Sequence, residues 1–298
     1  GGYSNEREIS LITAKSVIKE LKKKLKYNLL SIEPDGNFVH KLRKFKPDLV
    51  LNLWHGRYGE DGYIQSILES EKIKYTHSGV LSSSIAIDKE ISKKIFSNNN
   101  ILTPPYFKLV YKNNLNLKKL IKKIDKKLRF PVVLKPVNEG SSVGVCITSK
   151  KNFKANISNL EKFKEILIEK YIPGREIQAA ILGNKKLGII ELRPKRKFYD
   201  YEAKYNASAN TQHIIPVNLT KKNFNKVNEI AMKAHKLLKC RGVSRSDFRF
   251  YKNKFYLLEI NTQPGMTSLS LVPEIARYKK ISFMQLIDEI IKDASINK

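Results

Sequence analysis

Four polar residues near the carboxyl end of the chain have a spacing that could support chemistry. Arg245 and Asp247 are two positions apart, and so are Glu259 and Asn261. In neighbouring strands, this spacing places each pair on one face, where the four groups could converge. The oxygen atoms of Asp247, Glu259 and Asn261 suit a hard cation such as Mg²⁺. An exposed strand pair with alternating polar residues fits the same spacing.

A short loop follows these residues directly. Residues 262–268 read TQPGMTS, a small and turn-rich stretch that could offer backbone amides to an anion. Pro264 and Gly265 also suit an ordinary turn before a helix. Their position beside the three oxygen-bearing residues nevertheless favours a binding loop.

A second candidate for phosphate binding lies in the middle of the chain. Lys135 ends the apolar stretch PVVLKP, and residues 140–144 read GSSVG. An ammonium beside a flexible backbone that carries Ser141 and Ser142 suits nucleotide phosphates. The chain has no GxxxxGK[ST] and no GxGxxG, so neither a P-loop nor a dinucleotide fingerprint is present. A plain hairpin turn would explain the glycine-serine loop equally well.

The apolar pattern predicts the elements that position these residues. Strands over 244–251 and 255–261 form a hairpin with a turn at Lys252-Asn253-Lys254, and strands over 131–136 and 143–148 flank the glycine-serine loop. A helix over 88–98 precedes them.

The first part of the chain is predicted to be an α/β layer. Helical spacing over 5–26 predicts a first helix, with Ser4 and Asn5 as possible capping residues. The run over 48–54 suits a buried parallel strand, and residues 60–70 return to helical spacing.

Length and charge limit the classes of protein. At 298 residues, the chain is long enough for two or three domains around a shared cleft. The net charge of +29 could attract anions or nucleic acid. However, the lysines, including Lys93 and Lys94, are spread along helices where we expect them to face solvent. Only residues 193–197, RPKRK, form a compact basic cluster.

Several other classes of protein are disfavoured by the sequence. No apolar run is long enough to span a bilayer. Cys146 and Cys240 have no CxxC spacing, and the five histidines have no HxxH or HExxH spacing. We therefore expect neither a disulfide framework nor a zinc site, and a reducing cytosol fits best.

Seven stretches of the sequence together resemble the D-alanine–D-alanine ligases nearly from end to end. In chain order they are GGYSNEREISL, LWHGRYGEDG, YTHSGVLSSSIAIDK, FPVVLKPVNEGSSVGV, LIEKYIPGRE, FYDYEAKY and LLEINTQPGMTSLSLVP. Shared composition or secondary structure does not produce seven blocks in a family's order.

The resemblance implies an α/β fold of the ATP-grasp type with three domains. These are an open amino-terminal α/β substrate domain (1–77), a central domain (78–170) and a carboxyl-terminal catalytic domain (171–298). The last two are α+β domains that hold ATP between their sheets. Two Mg²⁺ ions, which Mn²⁺ could replace, would bridge the ATP phosphates. In the family an apolar strand runs into the GG of the first block, so we expect one before Gly1.

The resemblance also implies a nucleotide and metal site. Asp247, Glu259 and Asn261 correspond to the magnesium ligands. The positions that correspond to the ATP contacts are Lys89 and Lys135 at the phosphates, Ser142 in the glycine-serine loop, Glu169, Lys170, Tyr171 and Ile172 at the adenine hinge, Glu176 at the ribose, and Lys204.

For the amino-acid substrate, Glu6 corresponds to the residue that holds the first ammonium, with His55 in support. Arg245 and the Gly265 amide would stabilise an oxyanion. Ser270 and Leu271 would receive the carboxylate region of the second substrate.

A closing loop is implied as well. Ser141 and Tyr205 correspond to a pair that links the glycine-serine loop to FYDYEAKY, which would close over the site together with Lys204. The D-lactate-adding relatives lack this YDYEAKY pattern, so Tyr205 favours D-alanine as second substrate. Leu269 departs from the family, in which histidine is frequent, and we expect altered packing at the second substrate.

The resemblance thus implies ATP-dependent synthesis of D-alanyl-D-alanine for peptidoglycan through a D-alanyl acyl phosphate, in the cytoplasm and by a homodimer. One alternative is a ligase with D-lactate or D-serine as acceptor. Another is a basic protein that binds nucleic acid or a membrane surface and retains a vestigial ligase site. The expected partners are D-alanine and ATP, without nucleic acid or membrane.

Overall fold

The computed structural model describes residues 1–4, 6–24, 26–112, 114–194, 211–267 and 270–296. Asn5, Lys204, Tyr205 and Leu269 lie outside these residues, and so does most of the 193–197 cluster. None of the helices in the described part of the chain is long and apolar enough to cross a membrane.

The described helices are α1 (Arg7–Leu21), α2 (Phe38–Phe45), α3 (Tyr63–Ser70), α4 (Val80–Ile87), α5 (Lys89–Asn98), α6 (Leu117–Lys127), α7 (Phe153–Ser158), α8 (Lys221–Leu237), α9 (Leu271–Tyr278) and α10 (Phe283–Lys292). The described strands are β1 (Leu49–Val50), β2 (Lys74–Tyr75), β3 (Tyr106–Val110), β4 (Val132–Pro136), β5 (Cys146–Thr148), β6 (Glu165–Lys170), β7 (Arg175–Leu182), β8 (Lys185–Arg193), β9 (Gln212–Ile214), β10 (Val243–Tyr251) and β11 (Lys254–Asn261).

The first layer is built on the parallel pair β1 and β2. The predicted strand over 48–54 is regular only at Leu49 and Val50. Beyond Val50, hydrogen bonds to side chains take the place of the backbone hydrogen bonds between strands. The Asn52 amide donates to Thr76 Oγ1 at 3.1 Å, and the Trp54 amide donates to Asn52 Oδ1 at 3.1 Å. The chain therefore turns out of the sheet towards the candidate site.

The first helix is shorter than predicted. It begins after Glu6, which is its capping residue, and ends at Leu21. The predicted cap, Ser4, has a different role: its hydroxyl accepts from the Glu6 amide at 3.1 Å and donates to the His55 carbonyl at 2.7 Å. Ser4 thus connects the start of the helix to the chain beyond β1.

A four-stranded antiparallel sheet forms the middle of the molecule, in the order β3-β6-β4-β5. Its core contains Leu134 and Ile166 from the strands, with Ile124 from α6 and Phe153 from α7. The glycine-serine loop connects β4 to β5, as predicted.

A five-stranded antiparallel sheet follows, in the order β11-β10-β7-β8-β9. Both of its faces are covered. Phe248 packs with Val227 of α8 on one face, and Val17 of α1 packs with Ile275 of α9 on the other. Ala86 of α4 belongs to the first of these clusters. The helices at the start of the predicted central domain thus pack against this sheet, and the division at 77 and 170 stays a prediction.

The β10–β11 hairpin was predicted correctly except for its turn. The turn has two residues, Lys252 and Asn253, with φ of 46° and 59°, and Tyr251 pairs directly with Lys254. Positive φ at both central positions is typical of the type I′ turn that suits the twist of a hairpin. A register shift after Asp247 bends β10 beside the site.

A buried junction joins the first layer to the five-stranded sheet. His77 has a left-handed backbone (φ 67°), and the Nε of Arg241 donates to its carbonyl at 2.7 Å. Burial, with the positive charges of His55 and Arg241, lowers the pKa of His77 to about 3. The folded protein therefore holds this imidazole neutral.

Replacing His77 by asparagine, which tolerates left-handed backbone, should make folding less sensitive to acid. The unfolded chain protonates this imidazole below about pH 6.5 and the folded chain only near pH 3, so stability falls as the pH drops through that window. In urea denaturation, the loss of unfolding free energy between about pH 7 and pH 4.5 should be about 2 kcal/mol smaller in His77→Asn than in wild type.

The control for this experiment is His40→Asn, which changes an exposed histidine. It should keep the pH dependence of the wild type. An equal change in both variants would contradict the assignment to His77.

Candidate active site

The four polar residues of the hairpin lie together, as their spacing predicted. Arg245 pairs with Asn261 and Asp247 pairs with Glu259 across the two strands. The guanidinium of Arg245 donates to both oxygens of Asp247, at 2.8 and 3.0 Å. Asp247 is buried and none of the four residues is exposed, so the alternative of an exposed strand pair is wrong.

Two adjoining pockets meet at this hairpin, and both are lined by Glu259, Lys89 and Glu139. The first pocket has the predicted substrate and catalytic residues on its wall, together with one predicted metal ligand, Asn261: Glu6, His55, Ser141, Arg245, Asn261, Gly265, Ser270 and Leu271. The second has the predicted nucleotide residues: Lys135, Ser142, Glu169, Lys170, Tyr171, Ile172, Glu176 and Asp247. The predicted site residues in the described part of the chain therefore line one or both of these two pockets.

Glu6 and Ser141 close one side of the first pocket. The Ser141 hydroxyl donates to Oε1 of Glu6, which links the start of α1 to the glycine-serine loop. Gly140 also approaches this carboxylate: a Cβ there would lie 2.6 Å from Oε2 of Glu6. The loop therefore fixes the position of the buried Glu6 side chain.

His55 is held on both sides of its ring. Nδ1 lies 3.0 Å from Oε1 of Glu60, and Nε2 lies 3.1 Å from Oγ1 of Thr13. Both partners are buried. The ring is thus fixed in orientation beside the helix that begins after Glu6.

The other side of the first pocket is the start of helix α9. Ser270 occupies the N-cap position of this helix but makes no side-chain capping hydrogen bond. Its Oγ instead accepts from the Thr267 amide at 2.9 Å. Leu271 is the first helical residue. The amides and the dipole at such a helix start favour an anion, such as a carboxylate, in the pocket.

Gln263 is a structural residue that the sequence reasoning missed. Its side-chain nitrogen donates to the Trp54 carbonyl at 2.9 Å, and its backbone amide donates to Oδ1 of Asn261 at 2.8 Å. The loop after β11 is thereby attached to the first layer. Gln263 was visible in the sequence TQPG, directly before Pro264. Its long-range partner, Trp54, could not be read from the sequence.

The second pocket lies between the two antiparallel sheets. Residues 169–172 comprise the last two residues of β6 and the two that follow it, and Glu176 of β7 pairs in register with Arg249 of β10. Ser141 and Ser142 have φ of 45° and 62°, so the glycine-serine loop runs through left-handed backbone between the pockets. The two-residue turn of the β10–β11 hairpin has the same pair of positive φ values, but here nine residues, 137–145, separate β4 from β5.

Buried ion pairs connect the walls of the second pocket. Lys93 Nζ lies 2.7 Å from Oε1 of Glu169, in an ion pair without good hydrogen-bond angles, and Lys135 Nζ lies 2.9 Å from Oε2. Burial alone would raise the pKa of Glu169, but the two ammonium groups lower it. Burial, with the charge of Lys135, lowers the pKa of Lys93 to about 8 even though Glu169 raises it.

The expectation that Lys93 faces solvent was therefore wrong. Lys93 is fully buried, whereas its neighbour Lys94 is exposed and pairs with Glu90. Lys93 follows Lys89 by four positions, which places both on one face of α5. That spacing was the available signal.

Lys89 connects the two pockets. Its Nζ donates to the Glu139 carbonyl at 2.5 Å and lies 3.5 Å from Oε2 of Glu259. Burial, with the charge of Lys135, lowers the pKa of Lys89, and Glu259 acts in the opposite direction. An ammonium at this position can contact a ligand in either pocket.

The donor atoms at the hairpin fit a magnesium ion that also binds phosphate. Asp247 and Glu259 supply two facing carboxylates, and Asn261 supplies an amide oxygen. No cluster of three or more His, Cys, Asp or Glu residues forms a metal cage in the described parts of the chain. A site with few protein oxygens suits Mg²⁺, which takes its remaining ligands from water and substrate phosphates.

Known proteins of one family are similar to this chain over nearly its full length. A family model described as D-ala D-ala ligase C-terminus matches residues 95–292. The D-alanine–D-alanine ligase of Pelagibacter ubique is 62% identical over 100% of this chain and 97% of its own length. The D-alanine–D-alanine ligase of Wolbachia pipientis wMel is 45% identical over 100% of this chain and 93% of its own length.

A solved structure is similar over the same extent. The Bacillus anthracis D-alanine–D-alanine ligase in complex with ATP superimposes with a TM-score of 0.84 at 34% identity, covering 98% of this chain and 94% of that chain. The fold is therefore the mixed α/β fold of the ATP-grasp class, as predicted. Within that class, the chain belongs to the D-alanine–D-alanine ligase family.

Proposed function

We propose that this chain uses ATP to join two D-alanine molecules into D-alanyl-D-alanine, with release of ADP and phosphate. The observation that carries this proposal is the pair of adjoining pockets with Glu259 and Lys89 on their common wall. A phosphoryl group can pass from a donor in the second pocket to an acceptor in the first only across such a boundary.

The reaction has two steps. A carboxylate oxygen of the first D-alanine attacks the γ-phosphorus of ATP, and ADP leaves to give a D-alanyl acyl phosphate. The amine of the second D-alanine, after losing a proton, attacks the acyl carbon, and the tetrahedral intermediate expels phosphate. Positioning and electrostatics contribute most to such a phosphoryl transfer.

The nucleotide residues then have distinct tasks. Lys89 and Lys135 bind the phosphates with Ser142 of the loop, residues 169–172 receive adenine, and Glu176 receives the ribose. Asp247, Glu259 and Asn261 would hold two Mg²⁺ ions, for which Mn²⁺ could substitute. The ions neutralise charge on the phosphates when bound.

The substrate residues have complementary tasks. Glu6, oriented by Ser141 and with His55 nearby, holds the ammonium of the first D-alanine. Arg245 and the Gly265 amide stabilise the negative oxygen that develops during acyl transfer. Ser270 and Leu271, at the start of α9, bind the carboxylate region of the second D-alanine.

The wider setting belongs to the same proposal. The chain divides into substrate (1–77), central (78–170) and catalytic (171–298) domains, and acts as a homodimer in the cytoplasm to supply a peptidoglycan precursor. The implied role of Lys204 and Tyr205 in excluding water from the acyl phosphate concerns residues outside the described chain and stays a prediction.

The central test is phosphate release from ATP by the purified chain. Release should require both Mg²⁺ and D-alanine, and the product should be the dipeptide. Phosphate release that required D-lactate or D-serine as acceptor would replace the proposal with the corresponding ligase. No release with any of these acceptors would refute the ligase function.

Replacing Glu259 by glutamine should slow turnover. The variant keeps the size of the side chain but removes a charge from the boundary between the pockets. We expect kcat to fall at least about 100-fold, because a lost electrostatic contact in the transition state costs about 3 kcal/mol. Steady-state phosphate release at saturating ATP measures this.

The matched control is Glu8→Gln, which makes the same change at an exposed position of α1. It should keep the activity of the wild type. Near-normal turnover in Glu259→Gln would show that Glu259 has no role at the metal or the phosphates.

Replacing Gly140 by alanine should weaken the binding of D-alanine. The added Cβ would lie 2.6 Å from Oε2 of Glu6, so the carboxylate must move from its position beside Ser141. We expect the KM for the first D-alanine to rise about tenfold, the effect of losing roughly 1.4 kcal/mol, with a smaller change in the KM for ATP.

Gly36→Ala is the control, because a Cβ there meets no atom within 4 Å. It should leave both KM values unchanged. Equal increases in the two KM values of Gly140→Ala would indicate a general distortion of the loop instead.

A further inference from the structure

Lys93 is the one fully buried ammonium in the described chain that the proposed reaction does not use. It extends from α5 and contacts Oε1 of Glu169 from the core side, and it is absent from the wall of the second pocket. Lys135 contacts the other oxygen, Oε2, and does line that pocket. The two cations of this carboxylate therefore differ in their access to a ligand.

A nucleotide in the second pocket would compete for only one of these cations. Under the proposed function, which this inference rests on, the phosphates attract Lys135, and Oε2 of Glu169 becomes available to the adenine base. The side chain of Lys93 is fully buried, and its Nζ lies 5.8 Å from the centre of the Tyr106 ring. Because Lys93 does not line the second pocket, its ammonium cannot reach the phosphates. Its charge stays with Glu169.

We infer that Lys93 is a positioning residue for base selectivity: it keeps Glu169 ionised when Lys135 turns to the phosphates of ATP. A carboxylate buried without a cation takes up a proton, because burial disfavours the charged form. With Lys93 in place, Glu169 remains a group that only accepts hydrogen bonds.

The ionisation state of Glu169 decides which base it can bind. An ionised carboxylate accepts from the 6-amino group of adenine and repels the 6-oxo group of hypoxanthine. A protonated carboxyl can donate to the 6-oxo group, so the preference for adenine becomes weaker. Lys93 would thus affect selectivity without touching the nucleotide.

Replacing Lys93 by methionine tests this inference through the ratio of kcat/KM for ATP to kcat/KM for ITP. The ratio should fall at least about tenfold, because a site built for one hydrogen-bonding pattern loses its discrimination when that pattern changes. Lys93→Arg keeps the charge and should keep the ratio within about threefold of the wild type. Lys94→Met makes the same substitution at the exposed neighbour and should leave the ratio unchanged.

If Lys93→Met alone fails to fold, the test is made on Glu169→Gln, in which removal of Lys93 leaves no buried carboxylate without a cation. Glu169→Gln offers an amide that can donate to the 6-oxo group, so it should lower the ATP to ITP ratio by itself. Adding Lys93→Met to Glu169→Gln should change the ratio by less than about threefold, because Lys93 is proposed to act only through the charge of Glu169.

The outcomes separate this inference from the function on which it rests. A wild-type chain without D-alanine-dependent phosphate release refutes the proposed function. If the wild type is active, three results overturn the inference alone: parallel losses with both nucleotides in Lys93→Met, an unchanged ratio in Glu169→Gln, or a further large fall in the double variant.

Discussion

The neutralisation of buried carboxylates is the constraint on which the site depends. Buried Glu169 lies between Lys93 and Lys135, buried Asp247 receives two hydrogen bonds from Arg245, and the partly exposed Glu259 faces Lys89. Removing such charges from water is costly unless each one has a close partner of opposite sign. The ion pairs keep these carboxylates ionised in the cleft. Phosphates or metal cations that bind there can then exchange partners with them.

These ion pairs also connect separate structural elements. Lys89 and Lys93 come from α5, Lys135 from β4, Glu169 from β6 and Glu259 from β11. Helix α5 packs against the five-stranded sheet through Phe96 and forms ion pairs to both sheets. The electrostatic requirement of the pocket and the packing of the sheets therefore depend on one another.

The sequence predicted the local parts of this arrangement well. The spacing of Arg245 with Asp247 and of Glu259 with Asn261 was enough to place four groups on one face of a hairpin, since strand geometry alternates side chains strictly. Asn52 shows where local reasoning fails. Its apolar neighbours suggested a continuing strand, but two of its hydrogen bonds are with Thr76 and Gly59, whose proximity only the folded chain defines.

Lys93 shows the same limit for charge, since lysine is usually solvated on a helix surface. The six lysines of α6, Lys118, Lys119, Lys122, Lys123, Lys126 and Lys127, follow that rule and are all exposed. Lys89, Lys93 and Lys135 are buried because carboxylates from other elements surround them. A net charge of +29 counts both groups alike, although screening by solvent weakens the first group and burial strengthens the second. The function therefore depends on where a few cations lie and not on how many the chain contains.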